Sequence, residues 1–404
     1  MRVTYVSPGI APVFGGIGKD VPGLCREIAR RGIEVSLLTT DVGSHRTTIE
    51  RQAWTHRDGY KARYFRHLPL PGRLSCLALV TPGCNRVMNA AIRCSDVVHI
   101  YSLYNYLSSW AARYARSAGV PYVVEPHGTL DTFLYGHRRY RKRLFEFLWE
   151  KRNLREAAAV RCLSAAEAAQ ATRNLNMRIE TVVIPTGIDL SEIPASHDCD
   201  YVYDAYGISR SAKKIVFVGR LHEKKGVDLL AQAFVRLAAE DQATQLVIIG
   251  PDDGMEASVR KLLDAGGALR RTVFTGMVVG EAKTGLMAAA DVIVVPSYTE
   301  NFGNVVIEAM ALSRPLVVSS GVGIAEQVEE AKAGLVAKPV VGDLAEAIRA
   351  VLRNEGAAAR MGRAGRALVE REFLWTSVGE RVEALYRRIA STRRASPGML
   401  ANGR

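Results

Sequence analysis

Closely spaced cysteines are missing from this chain. Its six cysteines, Cys25, Cys76, Cys84, Cys94, Cys162 and Cys199, form no Cys-x-x-Cys pair. That excludes a zinc ribbon and a dithiol redox centre. Scattered thiols in a long chain are expected to be reduced structural residues of a cytoplasmic protein. No apolar run approaches the roughly 18 residues of a membrane-spanning helix. The first residues lead straight into a strand and break at Pro8-Gly9, which is not the pattern of a signal peptide. Zinc-finger spacing, a basic region running into heptads and an aromatic RNP run are all absent, so no nucleic-acid partner is expected.

What is present is ordinary globular material: 48% hydrophobic and 24% charged residues in 404 positions. At roughly 150 residues per domain, that length suggests two or three domains. The formal net charge is +13 and lies entirely in the first part. Residues 1–185 hold 27 Lys and Arg against 14 Asp and Glu, and the remainder holds 27 of each. A basic half implies an anionic partner, either a phosphorylated acceptor or an acidic membrane face.

Short β-rich runs alternate with amphipathic stretches, the pattern of parallel sheets with crossover helices. Strands are expected at 2–7, 34–39, 97–101, 122–125, 159–163 and 181–184, with helices at 18–31, 108–118, 138–157 and 165–174. The pattern restarts after a linker at 185–206, with strands at 214–218, 245–249, 272–274, 291–295 and 315–319. Helices at 226–239, 255–264, 279–290 and 304–312 separate them. Each half reads as a doubly wound α/β domain. Ligands of such sheets bind outside the carboxyl ends of the strands, so the informative residues are those just after strands.

The strand ending at Val295 is followed by Pro296-Ser297-Tyr298-Thr299-Glu300-Asn301-Phe302-Gly303-Asn304, with Glu308 a turn or two into the next helix. Backbone N–H groups at that helix start attract a phosphate or a sugar oxygen. Two carboxylates at different depths suit a donor with a sugar at one end and a ribose at the other. The spacing alone is equally that of a helix start with favourable acidic residues. Gly219-Arg220-Leu221-His222-Glu223-Lys224-Lys225-Gly226 places two cations after another strand. Gly15-Gly16 after the first strand permits close approach of the backbone to a ligand, and matches neither a P-loop nor GxGxxG. His127 in Val123-Val124-Glu125-Pro126-His127-Gly128 follows a strand, whereas His99 lies inside one and reads as a core residue. Asp20 and Asp131 are candidates for the acceptor side. Asp198-Cys199-Asp200 is a literal Asp-x-Asp, but it lies in the linker and reads as accidental. Asp252-Asp253 reads as a turn and helix cap.

The segment 296–311 resembles the Glu-x7-Glu signature of the retaining group 1 glycosyltransferases of the GT-B fold, the fourth sequence family. Residues 219–226 resemble that family's diphosphate-binding segment, 185–189 its interdomain turn, 320–326 its Gly-Gly-x-x-Glu turn and 12–18 its N-terminal glycine loop. The resemblance implies two Rossmann-like domains facing across a cleft. The acceptor domain is expected at 1–187 with a returning helix at 374–390, the nucleotide-sugar domain at 188–373, and a disordered tail at 391–404. It also implies residue roles. Glu308 holds the ribose hydroxyls, Glu300 contacts the transferred sugar, and Arg220 and Lys225 pair with the diphosphate. Gly15, Gly16, Gly219, Met277, Asn301, Phe302, Gly303, Asn304 and Val305 line the donor, and His127 meets the sugar near the acceptor.

The donor expected is a UDP-, GDP- or ADP-sugar, with no metal and no cofactor. The acceptor expected is a glycan or a lipid-pyrophosphate-linked glycan of surface polysaccharide or exopolysaccharide synthesis. Transfer is expected on the front face, the departing phosphate helping to deprotonate the acceptor hydroxyl. The basic, aromatic stretch Arg138 to Arg152 is either a solvated helix face or a contact with the inner face of an anionic membrane. A nucleotide-sugar-binding scaffold without activity and a GT-B epimerase are the alternative readings.

Overall fold

The computed structural model describes residues 1–11, 14–43, 53–67, 81, 83–130, 149–175, 177, 179–193 and 200–394. The chain forms two compact units, Met1–Gly187 with Trp375–Arg404, and Ile188–Leu374.

In chain order the first unit contains β1 (Arg2–Val6), α1 (Gly16–Arg30), β2 (Glu34–Thr40), β3 (Trp54–Arg57), β4 (Tyr60–Phe65), α2 (Cys84–Arg93), β5 (Val97–Tyr101), α3 (Tyr106–Ser117), β6 (Tyr122–Glu125), α4 (Lys151–Arg155), β7 (Ala159–Cys162), α5 (Ala165–Leu175) and β8 (Thr181–Val183). Its sheet runs β3-β4-β2-β1-β5-β6-β7-β8. All neighbours are parallel except β3 and β4. The β3–β4 hairpin turns on Asp58 (φ 42°) and Gly59 (φ 88°), the Asp-Gly pair that a two-residue hairpin favours. It and α2 were not among the expected elements. Strands such as β5 are buried along their whole length, as covering on both faces requires. One core lies under α1 and the last helix, and the other under α2 and α3.

The second unit continues with α6 (Asp200–Tyr206), β9 (Lys213–Val218), α7 (Val227–Glu240), β10 (Thr244–Ile249), α8 (Glu256–Ala265), β11 (Thr272–Gly276), α9 (Gly280–Ala288), β12 (Val292–Val295), α10 (Asn304–Ala311), β13 (Leu316–Ser319), α11 (Ala325–Glu330), β14 (Gly334–Ala337), α12 (Val341–Arg353) and α13 (Glu355–Leu368). Its sheet order, β11-β10-β9-β12-β13-β14, is that of a Rossmann domain, with the switch point between β9 and β12.

The last helix, α14 (Trp375–Arg394), packs on the first unit through Val378, Val382, Leu385, Tyr386 and Ile389. It starts one residue later than expected, and residues 391–394, expected in a disordered tail, are helical. Residues 395–404 lie outside the described residues, as do Asp131, Cys76, Asp198 and Cys199. Of the basic stretch 138–152, only the end is described. There α4 is short, and Glu150 is buried, accepting from Ser109 Oγ at 3.0 Å and Tyr104 N at 3.1 Å. Among the described residues no helix is long and apolar enough to cross a membrane.

Candidate active site

In the second unit the switch point brings together loops that are remote in sequence. β9 and β12 pair directly, so the loops leaving their carboxyl ends are neighbours. Gly226 lies where they meet. Its φ is 65°, and a Cβ there would sit 2.2 Å from the Pro296 carbonyl oxygen, so only glycine fits. Tyr298 N donates to the Lys224 carbonyl at 3.0 Å, tying the same two loops. The loop after β13 joins them: Glu300 N donates to Gly321 O at 2.9 Å and Gly323 N to Glu300 O at 2.8 Å. Glu300 therefore stands in an extended bridge to Val322, with its backbone fixed.

On this frame three cations meet three carboxylates. Lys225 Nζ donates to Glu300 Oε2, Lys283 Nζ of α9 donates to Glu308 Oε2 of α10 at 2.5 Å, and Arg220 Nη1 donates to Asp253 Oδ2 at 2.6 Å. The first two pairs are half-buried, while the Arg220 side chain is 65% exposed. An exposed pair is worth only about 0–1 kcal/mol, so Arg220 can exchange Asp253 for a phosphate at small cost and gain a charge-assisted contact. Asp252 caps the start of α8, its Oδ1 accepting from Gly254, Met255 and Glu256 N at 3.0 Å each. Helix α10 begins after Gly303 (φ 103°) with no side-chain cap and no acidic residue in its first turn, so Asn304 and Val305 present their N–H groups at the positive end of a helix dipole. Phe302 is buried edge-on to Phe373. Met277, just past β11, is 64% exposed, on the same carboxyl edge of the sheet as Gly219, which follows β9.

Lys283, within the helix expected at 279–290, was not singled out from the sequence. By holding Glu308 it orients the carboxylate assigned to the ribose. Lys283→Met is expected to raise the donor KM about tenfold, the loss of one charged hydrogen bond of roughly 1.5 kcal/mol. The accompanying change in kcat should be below about threefold. Steady-state kinetics at varied donor concentration checks this.

In the first unit, Gly15 (φ 60°) precedes α1, which starts at Gly16. A Cβ on Gly15 would meet nothing within 4 Å, so in this structure the residue answers a backbone angle. His127 (φ 51°) and Gly128 (φ 78°) form a turn after β6, closed by Thr129 N donating to Pro126 O at 3.2 Å. Two successive positive φ values are those of a type I′ turn, and histidine is one of the few non-glycine residues that tolerate such a position. Glu167 holds this turn, accepting from Gly128 N at 2.9 Å and from Leu163 N at 2.7 Å. Held this way, the His127 side chain is 11% exposed, with Nε2 3.7 Å from Glu125 Oε1. Asp20, a candidate for the acceptor side, is instead buried in α1 beside Arg161 and Glu125. The sequence did carry a signal for Arg161, since a charged residue stands inside the apolar strand Ala159–Cys162. His99 is a fully buried core residue bonded to Tyr386.

The family described as Glycosyl transferases group 1 matches residues 204–368, and that described as Glycosyl transferase 4-like domain matches 15–187. An uncharacterised glycosyltransferase of Methanocaldococcus jannaschii is 32% identical over 397 residues, covering 96% of this chain and 98% of that protein. The chain belongs to the group 1 glycosyltransferases. Glycogen synthase of Mycobacterium tuberculosis is 28% identical to this glycosyltransferase, covering 96% of this chain and 94% of that protein. In fold it is similar to Anabaena HepE, solved in complex with UDP and glucose, with a TM-score of 0.76 at 19% identity, covering 96% of this chain and all of that one. The architecture is that of GT-B glycosyltransferases.

Proposed function

We propose that this glycosyltransferase transfers a hexosyl unit, with retention and without a metal, from a nucleotide-diphosphate sugar to a glycan or lipid-linked glycan acceptor. The observation that carries the reading is the convergence of Arg220, Lys225, Glu300 and Glu308 at one sheet edge beside the uncapped start of α10. A nucleoside diphosphate needs cations at its phosphates and acceptors at its hydroxyls, and this edge offers both. Glu308 takes the ribose hydroxyls and Glu300 the transferred sugar. Arg220, Lys225 and the α10 amides take the diphosphate, whose charge grows as the glycosidic bond breaks, so preorganised donors act most strongly in the transition state. The acceptor oxygen forms its bond to the anomeric carbon on the face that the diphosphate leaves, and its proton passes to a departing phosphate oxygen. His127 of the first unit is assigned to the sugar hydroxyls. HepE, solved with UDP and glucose, and glycogen synthase, named for a polymeric product, support the choice of donor and acceptor class.

Thermal-shift screening against UDP-, GDP- and ADP-sugars should reveal one stabilising donor class. NMR of the product made from it should show the donor's anomeric configuration, and rates should be unchanged by EDTA. An inverted anomer, or loss of activity to the chelator, would refute the corresponding part of the reading. The positive balance of residues 1–185 supports a phosphorylated acceptor at the inner face of an anionic membrane, as in surface polysaccharide synthesis. Flotation with anionic liposomes at low salt checks this, and failure to bind would sink it.

A further inference from the structure

The first unit holds a charge cluster that the transfer chemistry does not use. Arg161 of β7, Glu125 of β6 and Asp20 of α1 have no side-chain exposure. Arg161 Nη1 lies 2.6 Å from Glu125 Oε2 and 3.7 Å from Asp20 Oδ2. The rest of the guanidinium donates to the carbonyls of Ile184 at 3.1 Å and Pro185 at 2.6 Å. One guanidinium thus faces two carboxylates. Both Asp20 oxygens and Glu125 Oε1 have no hydrogen-bond partner among the described residues. Two like charges so close, out of water, cannot both be ionised without a large penalty.

His99 shows where the compensation lies. Tyr386 Oη donates to Tyr5 Oη at 2.8 Å, so its oxygen is left to accept from His99 Nδ1, 2.5 Å away. Burial, with Arg161 beside it, pushes His99 well below its ordinary pKa, so the ring is neutral and carries its one proton on Nδ1. Nε2 is then a buried lone pair 3.3 Å from Glu125 Oε2. Two acceptors would face each other across that gap unless a proton stands on the carboxyl group.

We propose that Glu125, beside His127, stands as a neutral carboxylic acid bearing the one proton the cluster requires. With that proton in place, the cluster's one guanidinium is matched by one negative charge. The groups facing Glu125 are Asp20 from α1, His99 and Tyr101 from β5, Arg161 from β7, Glu167 from α5, Tyr386 from α14 and His127 beyond its own strand. Loss of the proton would place an uncompensated negative charge 3.7 Å from His127 Nε2. Burial, opposed by Arg161 and reinforced by Asp20, raises Glu125 to about 8. The proton is therefore held at neutral pH and shed in mild alkali. Because the folded value lies above the unfolded value of roughly 4.3, the folded state binds a proton that the unfolded chain lacks. Its contribution to stability is complete below the unfolded value and is lost as pH rises through about 8.

Infrared difference spectroscopy on the full chain at neutral pH should show a protonated-carboxyl stretch that Glu125→Gln removes. Glu125→Gln and Asp20→Asn each leave one carboxylate for one guanidinium, so each alone should lower Tm little. The double variant strands Arg161 and should lose far more than the sum. Glu125→Gln should also flatten the fall of Tm between about pH 5 and 8. The kinetic arm rests on the proposed function: kcat/KM for transfer should decline above about pH 8 in the natural chain and not in Glu125→Gln. Absence of the carboxyl stretch with additive single costs would overturn the proposal. So would a rise in Tm on adding Mn2+ or Zn2+ to chelator-treated protein, since Asp20, Glu125 and His127 each place a ligand atom within 4.8 Å of the others. Transfer from no donor would refute the proposed function and leave the spectroscopic arm intact.

Discussion

Lys225→Met is expected to lower kcat/KM for sugar transfer by about 10²–10³, with most of the loss in kcat. Lys225 sits between two demands. It is half-buried against Glu300 in this structure, and it stands on the loop assigned to the diphosphate. Glu300 is fixed through its backbone to Gly321 and Gly323, so removing the lysine leaves the carboxylate in place without its counter-charge. The leaving group then loses a cation at the moment its charge grows, while the sugar meets a carboxylate of unbalanced charge. Both effects act in the transition state, which is why kcat carries them. Single-turnover kinetics separates this outcome from slow product release. An equal rise in KM at constant kcat would mean that Lys225 binds donor uniformly and does not act on departure of the diphosphate.

Arg161→Met should destabilise the chain by about 3–5 kcal/mol, the cost of leaving buried charge without its partner. The guanidinium has no exposure and serves two carboxylates and two backbone carbonyls. Methionine fills part of the space and answers none of these acceptors. Urea denaturation should show the midpoint falling, and combining Arg161→Met with Asp20→Asn should recover part of the loss, because no ionised carboxylate is then stranded beside the neutral Glu125. If the single variant is as stable as the natural chain, the cluster is not held by Arg161.

Much of the fold is visible along the chain because it is written in local periodicity. The β12 run Val292–Val295 and its following helix at Asn304 are bounded by residues whose backbone preferences are short-range. Two further elements carry local signals of their own. Asp58-Gly59 marks the β3–β4 hairpin, and Asn354, whose side chain accepts from Ala357 N at 2.9 Å, marks the start of α13. The pairings of charges are a different matter. Lys225 and Glu300 are 75 positions apart, and Lys283 and Glu308 are 25 apart on separate helices. No spacing rule links such residues, because their distance depends on strand order and helix packing.

By itself, the sequence determined the alternation of strands and helices, the positions of Arg220, Lys225, Glu300 and His127 in the loops after strands and of Glu308 in the helix that follows, and the resemblance to the glycosyltransferase family. These follow from residue-level preferences acting over a few neighbours. Only the tertiary structure decided that β9 lies beside β12, which lysine holds which carboxylate, and that a glutamate read as the end of a strand lies dry behind His127, sharing one arginine with Asp20. A charge takes its chemical character from what surrounds it, and those surroundings exist only once the sheet has assembled.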